Sequence, residues 1–307
     1  MTRIVCLGEA MVELSGSAGA WRVGYGGDTL NTAVHLARGG HDVAYMTALG
    51  EDAFSANLRL AWEGEGLDCS LVLTHPSRHA GLYAITTDVA GERSFTYWRD
   101  TSAARALFEL DAVDQAMAIA ETADLFCFSL VSLAILPPQG RQDLLRLAGR
   151  VRDNGGQVAF DGNYRPRLWE TTEAAQRARD KAIAFADIGL PTLEDEVLLS
   201  GAGSAEDVAR HWRTLGCKDV VVKLGAQGCL LPDGAICPVP QTLQPVDTSG
   251  AGDAFNGGYL SARLRGASAH DAALAGHALA GWTVMRPGAI PAVDRLAPYG
   301  QPDSSHA

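Results

Sequence analysis

Across the second half of this chain, short apolar runs alternate with amphipathic segments, and that rhythm leaves few folds open to it. Residues 125–130, 158–160, 187–190 and 220–224 read as strands, each running into a polar or glycine-rich turn. Between them, 141–152, 173–185 and 205–215 carry apolar residues at helical spacing. Strands separated by helices need crossover connections, which are right-handed and lay the strands parallel, with helices covering both faces of the sheet. Residues 4–7 and 43–49 read as two more strands of that sheet. The expected fold class is α/β with a mostly parallel sheet.

One region breaks the rhythm. Gly81–Thr87 and Arg93–Trp98 read as two strands flanking a hairpin turn at 88–92, and the second alternates polar and aromatic side chains as a half-covered antiparallel strand does. Residues 11–25 read as another strand pair. One domain is expected over 1–300, with a small β-sheet lid from about 11–26 and 79–100 inserted in the core, and a polar, frayed tail at 301–307.

Composition narrows the function. The 307 residues are 47% hydrophobic and 20% charged, enough for a sizeable core. A net charge of −11 argues against a nucleic-acid partner, though not against a nucleotide held locally by backbone N–H groups. The start lacks a secretory apolar stretch, and the longest uncharged apolar run, 125–138, is too short for a bilayer; a soluble, cytoplasmic chain is expected. The six cysteines form no CxxC and read as isolated, buried, reduced thiols. The histidines include no HExxH, so no tight metal site is expected.

In an open parallel sheet, ligands bind beyond the carboxyl ends of the strands, so the loops there are the places to search. Four of them carry polar sequences: 161–166 (DGNYRP), 191–194 (PTLE), 223–228 (KLGAQG) and 247–255 (DTSGAGDAF). In the last, Gly250, Ala251 and Gly252 precede an apolar helical pattern at 254–264, so their N–H groups lie at a helix N-terminus and form an anion hole. Asp253 follows in the first turn, where it either caps the helix or handles a proton. A carboxylate base beside an oxyanion cradle suits phosphoryl transfer to an alcohol. A dinucleotide fingerprint is excluded because Phe255 holds the third glycine position, and the chain contains no GxxxxGK[ST].

The stretch DTSGAGD at 247–253, followed by AFNGG, resembles the C-terminal signature of the ribokinase-like (PfkB) sugar kinases. GGDTLN at 26–31, followed by TAVHLAR, resembles their N-terminal signature, and the resemblance covers essentially the whole chain. It implies an ATP-dependent kinase with a three-layer α/β/α core and a β lid over the sugar. Carried over residue by residue, it makes Asp253 the base that takes the substrate hydroxyl proton, and Gly250, Ala251 and Gly252 the anion hole. Asn163, Arg165, Lys223, Gly225, Gly228 and Thr248 become nucleotide-side residues. Glu194 matches the acid of an NxxE motif that organises Mg²⁺ and its waters, with no direct protein ligand to the metal. The sequence departs from that motif in one place, because Pro191 stands where the asparagine should be.

Within the family, GGDTLN together with RSFTYWR, FDGNYRPRLW and LPTLEDE is similar to the kinases of 2-keto-3-deoxygluconate (KDG), an acid sugar. Arginines suit its carboxylate, since a guanidinium binds one through two parallel hydrogen bonds. The resemblance places Gly27, Asp28, Asn31, Tyr83, Tyr97 and Arg99 at the substrate, and Arg165 at either the substrate or the ATP phosphates. Tyr83 and Tyr97 alternatively pack the hairpin, Arg99 is alternatively a solvated strand end, and Asn31 a helix cap. The expected reaction is ATP-dependent phosphorylation of KDG at its C6 hydroxyl. The alternatives are a fructokinase or other sugar-acid kinase, and a non-catalytic sugar or nucleotide sensor on the same fold. An aromatic lid face is also compatible with a homodimer.

Overall fold

The computed structural model describes residues 2–17, 20–87 and 93–299. The expected hairpin turn at 88–92 and the tail at 301–307 lie outside the described residues. Seven strands form the central sheet: β1 (Arg3–Leu7), β4 (Asp42–Leu49), β5 (Val72–Thr74), β8 (Leu125–Ser129), β9 (Gln157–Asp161), β10 (Ile188–Gly189) and β11 (Asp219–Val220). Their order is β11-β10-β9-β8-β1-β4-β5, and every pair is parallel. The apolar runs dictate this: β8, LFCFS, is buried at every position, as a strand covered on both faces must be.

Alternate side chains of one strand feed two separate cores. Ile4 and Cys6 of β1, with Leu125 and Cys127 of β8, point into one, where Leu30 and Val34 of the helix Asp28–Arg38 and Tyr259 of the helix Ala251–Leu264 meet them. Val5, Leu7, Phe126 and Phe128 point into the other, against Leu144 of Pro138–Asp153, Ile183 of Thr172–Ile183 and Trp212 of Ala205–Thr214. The result is a three-layer α/β/α core. No helix among the described residues is long and apolar enough to cross a membrane.

A second sheet has four strands in the order β3-β2-β6-β7: β3 (Ala20–Gly26), β2 (Met11–Ser17), β6 (Gly81–Thr87) and β7 (Arg93–Trp98). β2 pairs antiparallel with β3 and parallel with β6, and β6 pairs antiparallel with β7.

Three expectations need correction. The run 220–224 is not one strand. β11 ends at Val220, and β12 (Val222–Lys223) joins β13 (Cys229–Leu230) and β14 (Ile236–Cys237) in a separate antiparallel sheet. The strand expected at 125–130 stops at Ser129, because Ser129 and Ser132 form a reciprocal capping box that starts the helix Leu130–Ile135. The cysteines are free, and all but Cys69 are buried, but they are not isolated. Cys6 opposes Cys127 across β1 and β8, and Cys229 opposes Cys237 across β13 and β14.

Where the small sheet leaves the core, Glu9 is 2% exposed and Arg99 is 9% exposed. The Arg99 Nε donates to Glu9 Oε2 at 2.7 Å, and a second guanidinium nitrogen contacts the same oxygen. Space there is tight: a β-carbon on Gly81, the first residue of β6, would come within 2.9 Å of Glu9 Oε1. Removing one partner of a buried pair strands the other charge. Arg99→Ala is therefore expected to lose about 3–5 kcal/mol in urea unfolding, and Glu9→Leu/Arg99→Met to recover most of it. An unchanged midpoint for Arg99→Ala would show that water reaches the carboxylate.

Candidate active site

Strand order reverses at β1, which has β4 on one side and β8 on the other, and a crevice opens beyond the strand ends there. Two clefts meet at this point. One, of about 760 Å³, lies between the small sheet and the core loops; Glu13, Tyr83 and Tyr97 face Gly27, Asn31 and Gly250 across it. The other, of about 740 Å³, is mostly apolar, with Leu243, Phe255 and Trp282 on its walls and Glu194, Lys223, Gly225, Gly228, Thr248 and Gly252 at its polar end.

The N-terminus of the helix Ala251–Leu264 divides them. Gly250 is its N-cap, in the left-handed region at φ 69°, and no side chain caps the helix. A β-carbon at Gly250 would lie 2.6 Å from that of Ala289, whereas one at Gly252 would meet only Lys223 Nζ, at 3.6 Å. The space over Gly252 is thus open, beside the positive end of the helix. Gly228 is fixed differently: its φ is 106°, and a β-carbon would sit 2.1 Å from the Cys237 carbonyl oxygen.

Asp253 does not cap its helix. Its Oδ2 accepts from Asn31 Nδ2 at 2.7 Å, joining the two sequence signatures. Burial raises its pKa to about 7, the Asp28 charge adds to the rise, and the Asn31 hydrogen bond and Lys223 oppose it. Asn31, which lines the first cleft, is 5% exposed, and its buried Oδ1 has no hydrogen-bond partner among the described residues. Tyr83 donates to Glu13 through a very short contact, and burial together with Glu13 pushes its hydroxyl pKa well up. Tyr97 stacks on Tyr83 with ring centroids 5.9 Å apart.

Other expected residues lie elsewhere. Asp28 accepts from Asn163 Nδ2 at 2.8 Å and borders a cavity of about 20 Å³ with Ser129, Asp161 and Asn256, room for one water. Arg165 lines neither cleft; its guanidinium donates to the Tyr164 carbonyl at 2.7 Å and to Asp195 at 3.3 Å. Arg99 also lines neither, since Glu9 occupies its guanidinium, so the sugar contact expected of it is replaced by a structural one. Pro191, the departure from the NxxE pattern, accepts from the Lys223 backbone N–H at 2.8 Å through its carbonyl.

Sequence reading missed Glu13, Asp161 and Asn256. Lys223 Nζ donates to Asp161 Oδ1 at 3.1 Å and to Asn256 Oδ1 at 3.2 Å, and Asn256 Nδ2 donates to Asp161 Oδ2 at 2.7 Å. Glu13 was detectable from register, because it opposes Tyr83 across β2 and β6 and so shares its face. Asn256 was detectable as the polar residue one turn beyond Gly252 in an apolar helix.

No three His, Cys, Asp or Glu residues cluster as a metal cage among the described residues. The lone carboxylate Glu194 at the polar end of the second cleft fits a cation that phosphates carry in and that waters link to the chain.

A 2-dehydro-3-deoxygluconokinase of Escherichia coli is 43% identical to this chain over an alignment of 300 positions that covers 94% of this chain and 96% of that protein. Among solved structures, a PfkB protein from a Polaromonas species superposes with a TM-score of 0.81 at 30% identity, covering 91% of this chain and 94% of that one. Aminoimidazole riboside kinase from Salmonella enterica, solved with aminoimidazole riboside and an ATP analog, gives a TM-score of 0.80 at 27% identity over 94% of this chain and 95% of that one. The sequence profile of the pfkB family carbohydrate kinases matches residues 1–295, and the chain belongs to that family.

Proposed function

We propose that this kinase transfers the γ-phosphoryl group of ATP to the C6 hydroxyl of KDG. The observation that carries the chemistry is Asp253, a carboxylate with a pKa of about 7 in the first turn of the uncapped helix whose N-terminus divides the two clefts. The sugar reading is supported by the 43% identity to a 2-dehydro-3-deoxygluconokinase. Nucleotide in the apolar cleft is supported by the fold shared with a riboside kinase solved with an ATP analog.

The sugar lies under the small sheet, whose closure excludes water and so protects ATP from hydrolysis. The free Asn31 Oδ1 accepts a sugar hydroxyl, and Tyr83 and Tyr97 supply the apolar wall. The C6 oxygen attacks the γ-phosphorus and gives its proton to Asp253. The bond from phosphorus to the β-phosphate oxygen breaks, and its electron pair leaves with ADP. First-turn N–H groups at Gly250–Gly252 stabilise charge on the phosphoryl oxygens. Glu194 is the residue that would hold the waters of a magnesium ion carried in by ATP, which would offset part of the phosphate charge. Arg22 lines the sugar-side cleft and is the arginine placed to meet a carboxylate there, whereas Arg165, half exposed and held to Asp195 at 3.3 Å, lines neither cleft.

An ADP-release assay with KDG, fructose and ribose tests the substrate. A charge-assisted contact to the carboxylate favours KDG by roughly ten- to a hundred-fold in kcat/KM. Equal values for fructose would replace this reading with a fructokinase, and no turnover of any sugar would replace it with a sensor. Asp253→Asn should fold and lose about 10²–10⁴-fold in kcat. Because the base must be deprotonated, kcat should fall as pH drops through about 7. The raised pKa has a second consequence: the folded chain binds this proton more tightly than the unfolded one, so the contribution of Asp253 to stability declines as pH rises toward 7. Asp253→Asn should then match or exceed the parent in melting temperature at pH 8.

A further inference from the structure

A cleft that receives several phosphate charges needs cations, yet among the described residues Lys223 is the only lysine or arginine lining the nucleotide side. Its side chain is 9% exposed. Of its three N–H donors, one goes to Asp161 and one to Asn256, and Asn256 closes the ring by donating to Asp161. The ring fixes where the ammonium sits. Nζ lies 3.6 Å from where a β-carbon on Gly252 would stand, with nothing else within 4 Å of that point beyond the chain neighbours and the helix's own backbone, so it borders the open space over the helix N-terminus. Asp253, the next residue in the chain, is held by Asn31, which lines the sugar-side cleft. Stability does not account for a buried ion pair on a cleft wall, since apolar residues of the same volume generally stabilise as well or better.

We infer that Lys223 is a catalytic residue: its remaining N–H donates to the phosphoryl group in transit between ADP and the sugar, and Asp161 and Asn256 are positioning residues that aim it. This inference rests on the kinase reading and adds a charge that acts on the transition state rather than on nucleotide binding. Lys223 keeps all its protons throughout. It is also the positive neighbour that lowers the pKa of Asp253 against burial and Asp28, so its loss should reach the base as well.

The test compares the full chain with Lys223→Met and Lys223→Arg. For Lys223→Met, kcat should fall about 10²–10³-fold, the loss typical of one oxyanion donor, with the KM for ATP changing little. The acid limb of its kcat–pH profile should move to higher pH, and Lys223→Arg should restore part of kcat. A readout independent of turnover is binding of ADP with aluminium fluoride, a mimic of the phosphoryl in transit, in magnesium buffer with KDG. Lys223→Met should weaken it at least about tenfold more than it weakens ADP alone, since the lost interaction is a charge-assisted hydrogen bond. If Lys223→Met unfolds because Asp161 is left unpaired, Lys223→Met/Asp161→Asn removes both charges and is measured the same way. Equal losses for ADP and its fluoride complex, or a raised KM for ATP at unchanged kcat, would make Lys223 a ground-state ligand and overturn the inference. A wild-type chain that phosphorylates no sugar would sink the kinase reading instead. The fluoride complex still decides on Lys223, and tightening no greater than for ADP alone in the wild type would count against it.

Discussion

The helix Ala251–Leu264 is pressed between two others, and everything at the site follows from how close they come. A β-carbon at Gly257 would lie 2.6 Å from that of His35 on the helix Asp28–Arg38. One at Gly258 would lie 2.9 Å from the α-carbon of Gly276 on Ala269–Val284. Two adjacent glycines therefore cost helix propensity, on the order of 1 kcal/mol each relative to alanine, to let three backbones approach. That approach puts Asp253 against Asn31 and sets the open helix end over the switch point of the sheet.

Electrostatics then divides the labour among carboxylates. Asp28, Asp161 and Asp253 crowd one small volume, and they are not equivalent. Asp161 has Lys223 and Asn256, and Asp28 has Asn163. Asp253 has one neutral amide and two acidic neighbours that push its pKa up. Burial and these neighbours, not residue type, bring Asp253 to a pKa near 7, where a carboxylate can exchange a proton at neutral pH. Gly252 serves the same end by geometry, keeping a side chain out of the open space beside the helix N-terminus.

Much of this was legible in the residues. Apolar runs located the sheet strands because buried parallel strands must be apolar on both faces, and Gly250 to Asp253 announced a helix start that binds anions. The parts that escaped depend on partners distant in sequence. Arg99 looked available because nothing local shows that Glu9, 90 residues away, takes its guanidinium. Lys223 looked like one more residue of a nucleotide loop, since Asp161 lies 62 positions away. The run 220–224 reads as continuous because it is apolar but for Lys223, and what divides it is the antiparallel pairing of Val222 and Lys223 with Leu230 and Cys229, which leaves no mark on composition.

The 222 positions between Asn31 and Asp253 have a meaning beyond geometry. A chain leaving the ribosome exposes its sugar floor early, but the proton acceptor and the open helix end follow only about 220 residues later. A nascent fragment that stops before Asp253 holds the floor without the base, so it cannot spend nucleotide on its sugar.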